Sequence, residues 1–114
     1  MKFFGTYGCE AANSIYNIAI EARDDQSALK FCYDSAVEDR DNYEGLCGIK
    51  TWAEIAENEG FTVEEMSSRE ESYIDDLYDE AIENDITYDI EPFDINNEEH
   101  LKTLKEQECE FWQV

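Results

Sequence analysis

Between Glu70 and Leu101 the chain carries thirteen Asp and Glu residues and no Lys or Arg. Carboxylates crowded in this way can hold a cation, move a proton, or pair with the guanidinium and ammonium groups of another molecule. Spacing separates these uses. Glu71, Asp75, Asp79 and Glu83 recur every four residues, with Asp76 and Glu80 on the flank. Four residues rise about 6 Å on a helix, so a helix here would present a row of charge to one side. An ordinary solvated helix face intersperses Lys and Arg to form i,i+4 pairs. This one has none, which favours pairing with an external cationic surface.

The run continues beyond that helix. Asp89, Glu91, Asp94, Glu98 and Glu99 alternate with Tyr88, Ile90, Phe93 and Ile95. On a strand such alternation sends acids to one face and apolar groups to the other. If the strand flanks the helix, the two make one acidic wall. Core membership is the default for each aromatic, but Tyr73, Tyr78 and Tyr88 exposed within the wall would anchor a partner, since Tyr is enriched at binding hot spots. The candidate partner-binding set is therefore Glu71, Asp75, Asp76, Asp79, Glu80, Glu83, Asp89, Glu91, Asp94, Tyr78 and Tyr88.

Other chemistries lack their signatures. The sole histidine, His100, lies nine residues from Cys109, and no closely spaced ligand pairs suggest zinc. Residues 39–50 superficially suggest a calcium loop, but Gly45 stands at position seven rather than six, and Lys50 stands where Glu is needed. There is no Gly-rich phosphate loop, Gly-x-Ser-x-Gly or His-Glu-x-x-His. The expectation is a non-enzymatic protein without a cofactor. Cys9, Cys32, Cys47 and Cys109 are widely spaced and read as free thiols, mostly buried, with Cys32 on an apolar helix stripe.

The formal charge is −22 over 114 residues, far beyond the roughly 2 to 8 that keeps a small domain soluble. Residues 1–60 carry net −7 and residues 61–114 net −15, so the charge is lopsided rather than spread as on a halophilic surface. Like charges on a compact body repel and destabilise it. Duplex DNA carries one charge per about 1.7 Å, so this charge equals that of about 37 Å, or about 11 base pairs. With 42% hydrophobic and 13% aromatic residues the chain reads as folded. Binding to nucleic acid or to an anionic membrane is disfavoured by the same charge.

The length supports a single domain over residues 1–114. Residues 2–7 have strand composition. Residues 11–22 repeat Ala12, Ile15, Ile18, Ala19 and Ala22 at helical spacing. Asp24 or Asp25 caps a second helix over 26–38, and residues 42–48 form a turn. Thr51 and Glu54 form a capping box for a helix over 52–59 that ends at Gly60. Thr62 and Glu65 form another, opening the longest helix, to about residue 84, with Ser67 or Ser68 as the cap of a later start. Residues 86–90 read as a strand that Pro92 places at an edge, Asn96 or Asn97 caps a helix to about 108, and residues 111–114 close as a short strand or tail. The predicted class is α+β and helix-rich, with about five helices and a minor β-sheet. Residues 52–66 suggest a helix-turn-helix, but its second helix would offer Glu64, Glu65, Glu70 and Glu71 where a DNA reader needs bases or amides. No stretch is apolar enough to span a membrane, and Met1 to Gly5 lack the apolar run of a signal peptide. A cytoplasmic protein is expected.

In size, charge and helical richness the whole chain resembles the small acidic proteins with which phages and mobile elements block host restriction and CRISPR systems by DNA mimicry. No sequence motif carries this resemblance, so no family residue maps onto the chain. It implies a stoichiometric inhibitor, acting in the host cytoplasm, that occupies the basic DNA groove of a nuclease or CRISPR effector. An acidic adaptor or antitoxin-like protein that neutralises another basic partner is the alternative reading. A homodimer stays open.

Overall fold

The computed structural model describes residues 1–58, 60 and 71–114. The fold is α+β, with four α-helices among the described residues and a four-stranded mixed sheet. Strands β1 (Lys2–Cys9) and β2 (Ser14–Glu21) are joined through a 3-10 turn at Glu10–Ala12. Helix α1 (Asp25–Tyr43) follows, then α2 (Trp52–Asn58), α3 (Glu71–Asp85), β3 (Ile86–Pro92), α4 (Glu98–Glu106) and β4 (Trp112–Gln113). The sheet order is β3-β1-β2-β4, antiparallel except for β2 with β4.

The α+β class is as expected, and the sheet carries the packing of both helical layers. Residues 11–22 are not a helix; most of them form β2. Ser14 to Ile20 hold three isoleucines and a tyrosine, side chains that suit a pleated surface. A helical spacing of apolar residues also arises when a strand is partly buried on both faces. Asn13 adopts the left-handed conformation (φ 56°) that closes the turn and sets the register Cys9 opposite Ser14. Gly8 has φ +154°, and a Cβ there would lie 2.0 Å from the Ser14 carbonyl oxygen, so only glycine fits the hairpin end.

Alternation along the strands builds two unlike layers. Phe3, Ile20 and Ala22 face α1 and pack with its buried Ala28 and Cys32, joined by Ile18, Tyr88 and Ile90. Asp24 caps α1 by accepting from the Ser27 N–H at 2.7 Å. The other face carries α4 through polar side chains. His100 stacks on Phe4 with ring centroids 4.2 Å apart. Gln107 grips the β2 backbone at Ala19, accepting from its N–H at 2.7 Å and donating to its carbonyl at 3.0 Å. Asn97 caps α4, accepting from Glu99 and His100 N–H, and β3 is an edge strand ending at Pro92, both as expected.

Helices α2 and α3 form a smaller cluster of their own around Ile55, Ala56 and Ile74. Thr51 Oγ1 accepts from the Glu54 N–H at 3.1 Å, as its capping box requires. The second capping box, at Thr62 and Glu65, and the start expected for the longest helix lie outside the described residues. Among those, α1 at 19 residues is the longest helix.

Arg40 of α1 joins the two clusters. It is fully buried; its Nε donates to Asp85 at 3.0 Å and its Nη2 to the Lys50 carbonyl at 3.0 Å. Removing one partner of such a buried pair strands the other charge, at a cost of about 3 to 5 kcal/mol. Asp85→Asn leaves the fully buried guanidinium without its counter-charge and is therefore expected to lower urea-unfolding stability by about that amount, whereas Arg40→Met leaves a carboxylate that is 24% exposed and is expected to cost clearly less. A loss below about 1 kcal/mol from Asp85→Asn would remove the pair as the reason.

Candidate functional site

Helix α3 buries Ile74 and Ile82 and half-buries Leu77, Tyr78 and Ala81. That stripe fixes the opposite side: Asp75, Asp76, Asp79, Glu80 and Glu83 are all exposed. Glu71 begins the helix, and its side chain lies outside the described residues. Among the described residues the ion pairs of Lys and Arg are Arg23–Asp24, Lys30–Asp34 and Arg40–Asp85. None of the five exposed α3 acids has a cationic partner among them. Two unit charges about 6 Å apart repel by roughly 0.7 kcal/mol in water before salt screening, so the row accumulates a modest, unrelieved repulsion that a cationic surface would reverse.

The wall continues onto β3 differently from the expectation. Tyr88 and Ile90 pack toward α1, which turns Asp89 and Glu91 to the α4 face of the sheet. The α3 acids belong instead to the α1 side, where Ile82 and Tyr78 meet Ala36 and Val37. The acids thus wrap around the β3 edge rather than forming one flat face. Near the α3 end of this surface, burial and then the Glu83, Asp79 and Asp34 carboxylates push the Tyr33 phenol above its ordinary pKa.

Several candidates have internal roles. Asp75 accepts from Trp52 Nε1 at 2.8 Å, tying α3 to α2. Tyr78 is half-buried between the clusters, donates to Glu44 at 2.7 Å, and has the Arg40 guanidinium 5.3 Å from its ring. Tyr88 is also half-buried; it meets Tyr33 edge-on at 5.0 Å and donates to Glu83 at 3.1 Å. Both tyrosines therefore serve packing more than partner anchoring. Asp89 Oδ1 accepts from the Ile90 N–H at 2.8 Å. His100 Nδ1 accepts from the Asp94 N–H at 3.0 Å, which assigns the ring proton to Nε2 and makes it the donor to Glu91 at 2.6 Å. Glu91 and Asp94 thus hold α4 to the strand as well as adding charge.

Among the described residues no group of three or more His, Cys, Asp or Glu is placed to hold a metal ion, and no helix is long and apolar enough to cross a membrane. Cys32 is buried as expected and so is Cys9, whereas Cys47 and Cys109 are exposed, against the expectation of mostly buried thiols. The residues that sequence reasoning missed are Arg40, Asp85 and Trp52. Arg40 left a trace, as the lone base between Lys30 and Lys50.

Two pH effects follow. Burial, then the Asp89 charge, raises the Cys32 thiol to about 11. In the unfolded chain the thiol ionises near its ordinary value, so the native state holds the extra proton between about 9 and 11. Stability is complete below that window and declines as pH rises through it. Cys32→Ala is expected to flatten this part of a denaturation-against-pH curve. The Tyr88 phenol is raised first by its hydrogen bond to Glu83, then by desolvation and the Glu83 charge; Glu83→Gln is expected to bring its ionisation down in an ultraviolet titration. No protein-family model matches the chain, and no curated protein or solved structure is similar to it.

Proposed function

We propose that this protein is a non-enzymatic inhibitor that lays its α3 carboxylates into the basic nucleic-acid groove of a defence protein, a nuclease or CRISPR effector, and so excludes DNA. The observation that carries the reading is the row Asp75, Asp79 and Glu83, flanked by Asp76 and Glu80, exposed on a helix and without a cationic partner among the described residues. Groups that normally grip phosphates, Arg above all, bind carboxylates through the same charge-assisted, often bidentate hydrogen bonds. The scale supports the comparison. Spread over a longest dimension of 54 Å, the net charge amounts to one per about 2.5 Å, against about 1.7 Å for duplex DNA.

Mimicry of this kind makes the contact electrostatic and competitive. The partner recovered by pull-down from host lysate is expected to bind either this protein or DNA. Association is expected to slow steeply as salt shortens the Debye length from about 10 Å at 0.1 M to about 3 Å at 1 M. A stable ternary complex with DNA would favour an allosteric inhibitor, and a partner that binds no nucleic acid would favour the acidic-adaptor reading.

The surface is expected to be local. Reversing Asp75, Asp79 and Glu83 to Lys acts on exposed side chains and relieves repulsion, although it also gives up the Asp75 bond to Trp52. The fold is expected to survive, by circular dichroism, while inhibition falls sharply, since each desolvated charge pair lost costs about 2 to 5 kcal/mol. The same reversal at the exposed Glu10, Glu38 and Glu57 is expected to matter much less. Equal losses from the two triples would mean that diffuse net charge does the binding.

A further inference from the structure

The two outer edges of the sheet are finished differently. Along β3 the outward backbone groups belong to the even-numbered residues, since Phe93 donates to the Lys2 carbonyl and so turns the odd ones toward β1. There Asp89 occupies the Ile90 N–H, and Pro92 has no N–H to offer. Such devices blunt an edge against further pairing. Along β2 the odd-numbered residues face out, because Ala22 donates inward to Met1 while Val114 donates to the Glu21 carbonyl from outside. Strand β4 covers Ile20 and Glu21, and Gln107 covers Ala19. Ile15 and Asn17 follow the same phase, and neither their N–H nor their carbonyl groups meet a partner on that side among the described residues. No proline, lysine or inward-pointing charge protects this stretch.

Beside the bare edge lies a groove of about 480 Å³, flanked by Tyr16, Phe111 and Trp112 and rimmed by Glu106, Glu108 and Glu110. Ile15, Tyr16 and Trp112 are 43%, 49% and 56% exposed. We propose that this edge and groove receive an extended, Lys- or Arg-bearing segment of a protein partner, which pairs with Ile15 and Asn17 as an added strand. The backbone bonds give affinity, the aromatic side chains take alternate residues of the segment, and the three carboxylates select its charge. A second copy of this chain is a poor occupant, because it would bring another −22 against the same acidic rim. The site lies on the opposite side of the sheet from β3 and its acids, so it goes beyond the groove-blocking surface of α3 and does not depend on it.

The test uses the full chain and two synthetic peptides of about six residues, alternating Val and Thr, one flanked by Lys and the other by Glu. Amide hydrogen exchange followed by NMR is expected to slow by about tenfold or more at Ile15 and Asn17 with the Lys-flanked peptide. It is expected to stay unchanged with the Glu-flanked one, and at Tyr88 with either. Ile15→Pro removes an outward N–H without touching the bonds to β1, and is expected to leave Asn17 unprotected. Should that variant not fold, reversing Glu106, Glu108 and Glu110 to Lys is expected to abolish the preference for the Lys-flanked peptide. Reversal of Asp75, Asp79 and Glu83 is expected to leave the protection intact, which separates this site from the α3 surface. Absence of protection at millimolar Lys-flanked peptide, or equal protection by both peptides, overturns the proposal. So does protection that grows with protein concentration alone, which would identify a second copy as the occupant.

Discussion

The Arg40 guanidinium is a full charge with no solvent contact, beside a second buried charge at Asp39, in a protein that turns most of its described charges outward. Moving such an ion out of water carries an effective penalty of several kcal/mol, recovered only through close partners. Asp85, the Lys50 carbonyl and the face of Tyr78 provide them, while Nη1 has no hydrogen-bond partner among the described residues. Those partners come from α3, from the segment after α1, and from the contact between the two clusters. The neighbouring Asp39 accepts from the Cys9 N–H at 3.0 Å, so the same turn of α1 also grips the hairpin end. The acidic helix is thereby anchored at its C-terminal end through Asp85, the α3 carboxylate that pairs with a cation among the described residues.

A division between apolar and polar attachment runs through the sheet. Its α1 face is held by aliphatic and aromatic burial, which is non-directional and tolerant of small shifts. Its α4 face is held by directional bonds from His100 and Gln107 and by ring stacking on Phe4 and Phe93. Gln107 presents an amide to Ala19 as a neighbouring strand would, so β2 is paired at that point without a strand. The choice suits a chain with few large aliphatic residues. Where apolar area is scarce, orientation-specific contacts complete the packing.

The sequence was legible where one local rule decided the outcome. The caps at Asp24, Thr51 and Asn97, the exposed stripe of α3 and the edge placement of β3 all follow from side chains within a few residues of one another. It misled where a pattern fitted two periods: Ile15, Ile18 and Ala22 match a helix, yet pairing with β1 made most of the segment a strand. It was silent where the deciding contact is remote in sequence. The burial of Tyr78 and Tyr88 and the 45-residue separation of Arg40 from Asp85 depend on tertiary approach. Alternation correctly separated Asp89 and Glu91 from Tyr88 and Ile90, but could not say that α3 would lie toward the other face.

The carboxylate row stands on a helix whose apolar side packs with α2 around Ile74 and, through Ile82, with α1 and β3. Changes to charge spacing on its exposed side need not propagate into that packing, provided Arg40 and Asp85 are kept. If α3 is the contact surface proposed above, selection from a changing opponent would let it diverge quickly while the scaffold stays constant. Descendants of this protein would then share its sheet and its buried arginine while their acidic faces had become unrecognisable to one another.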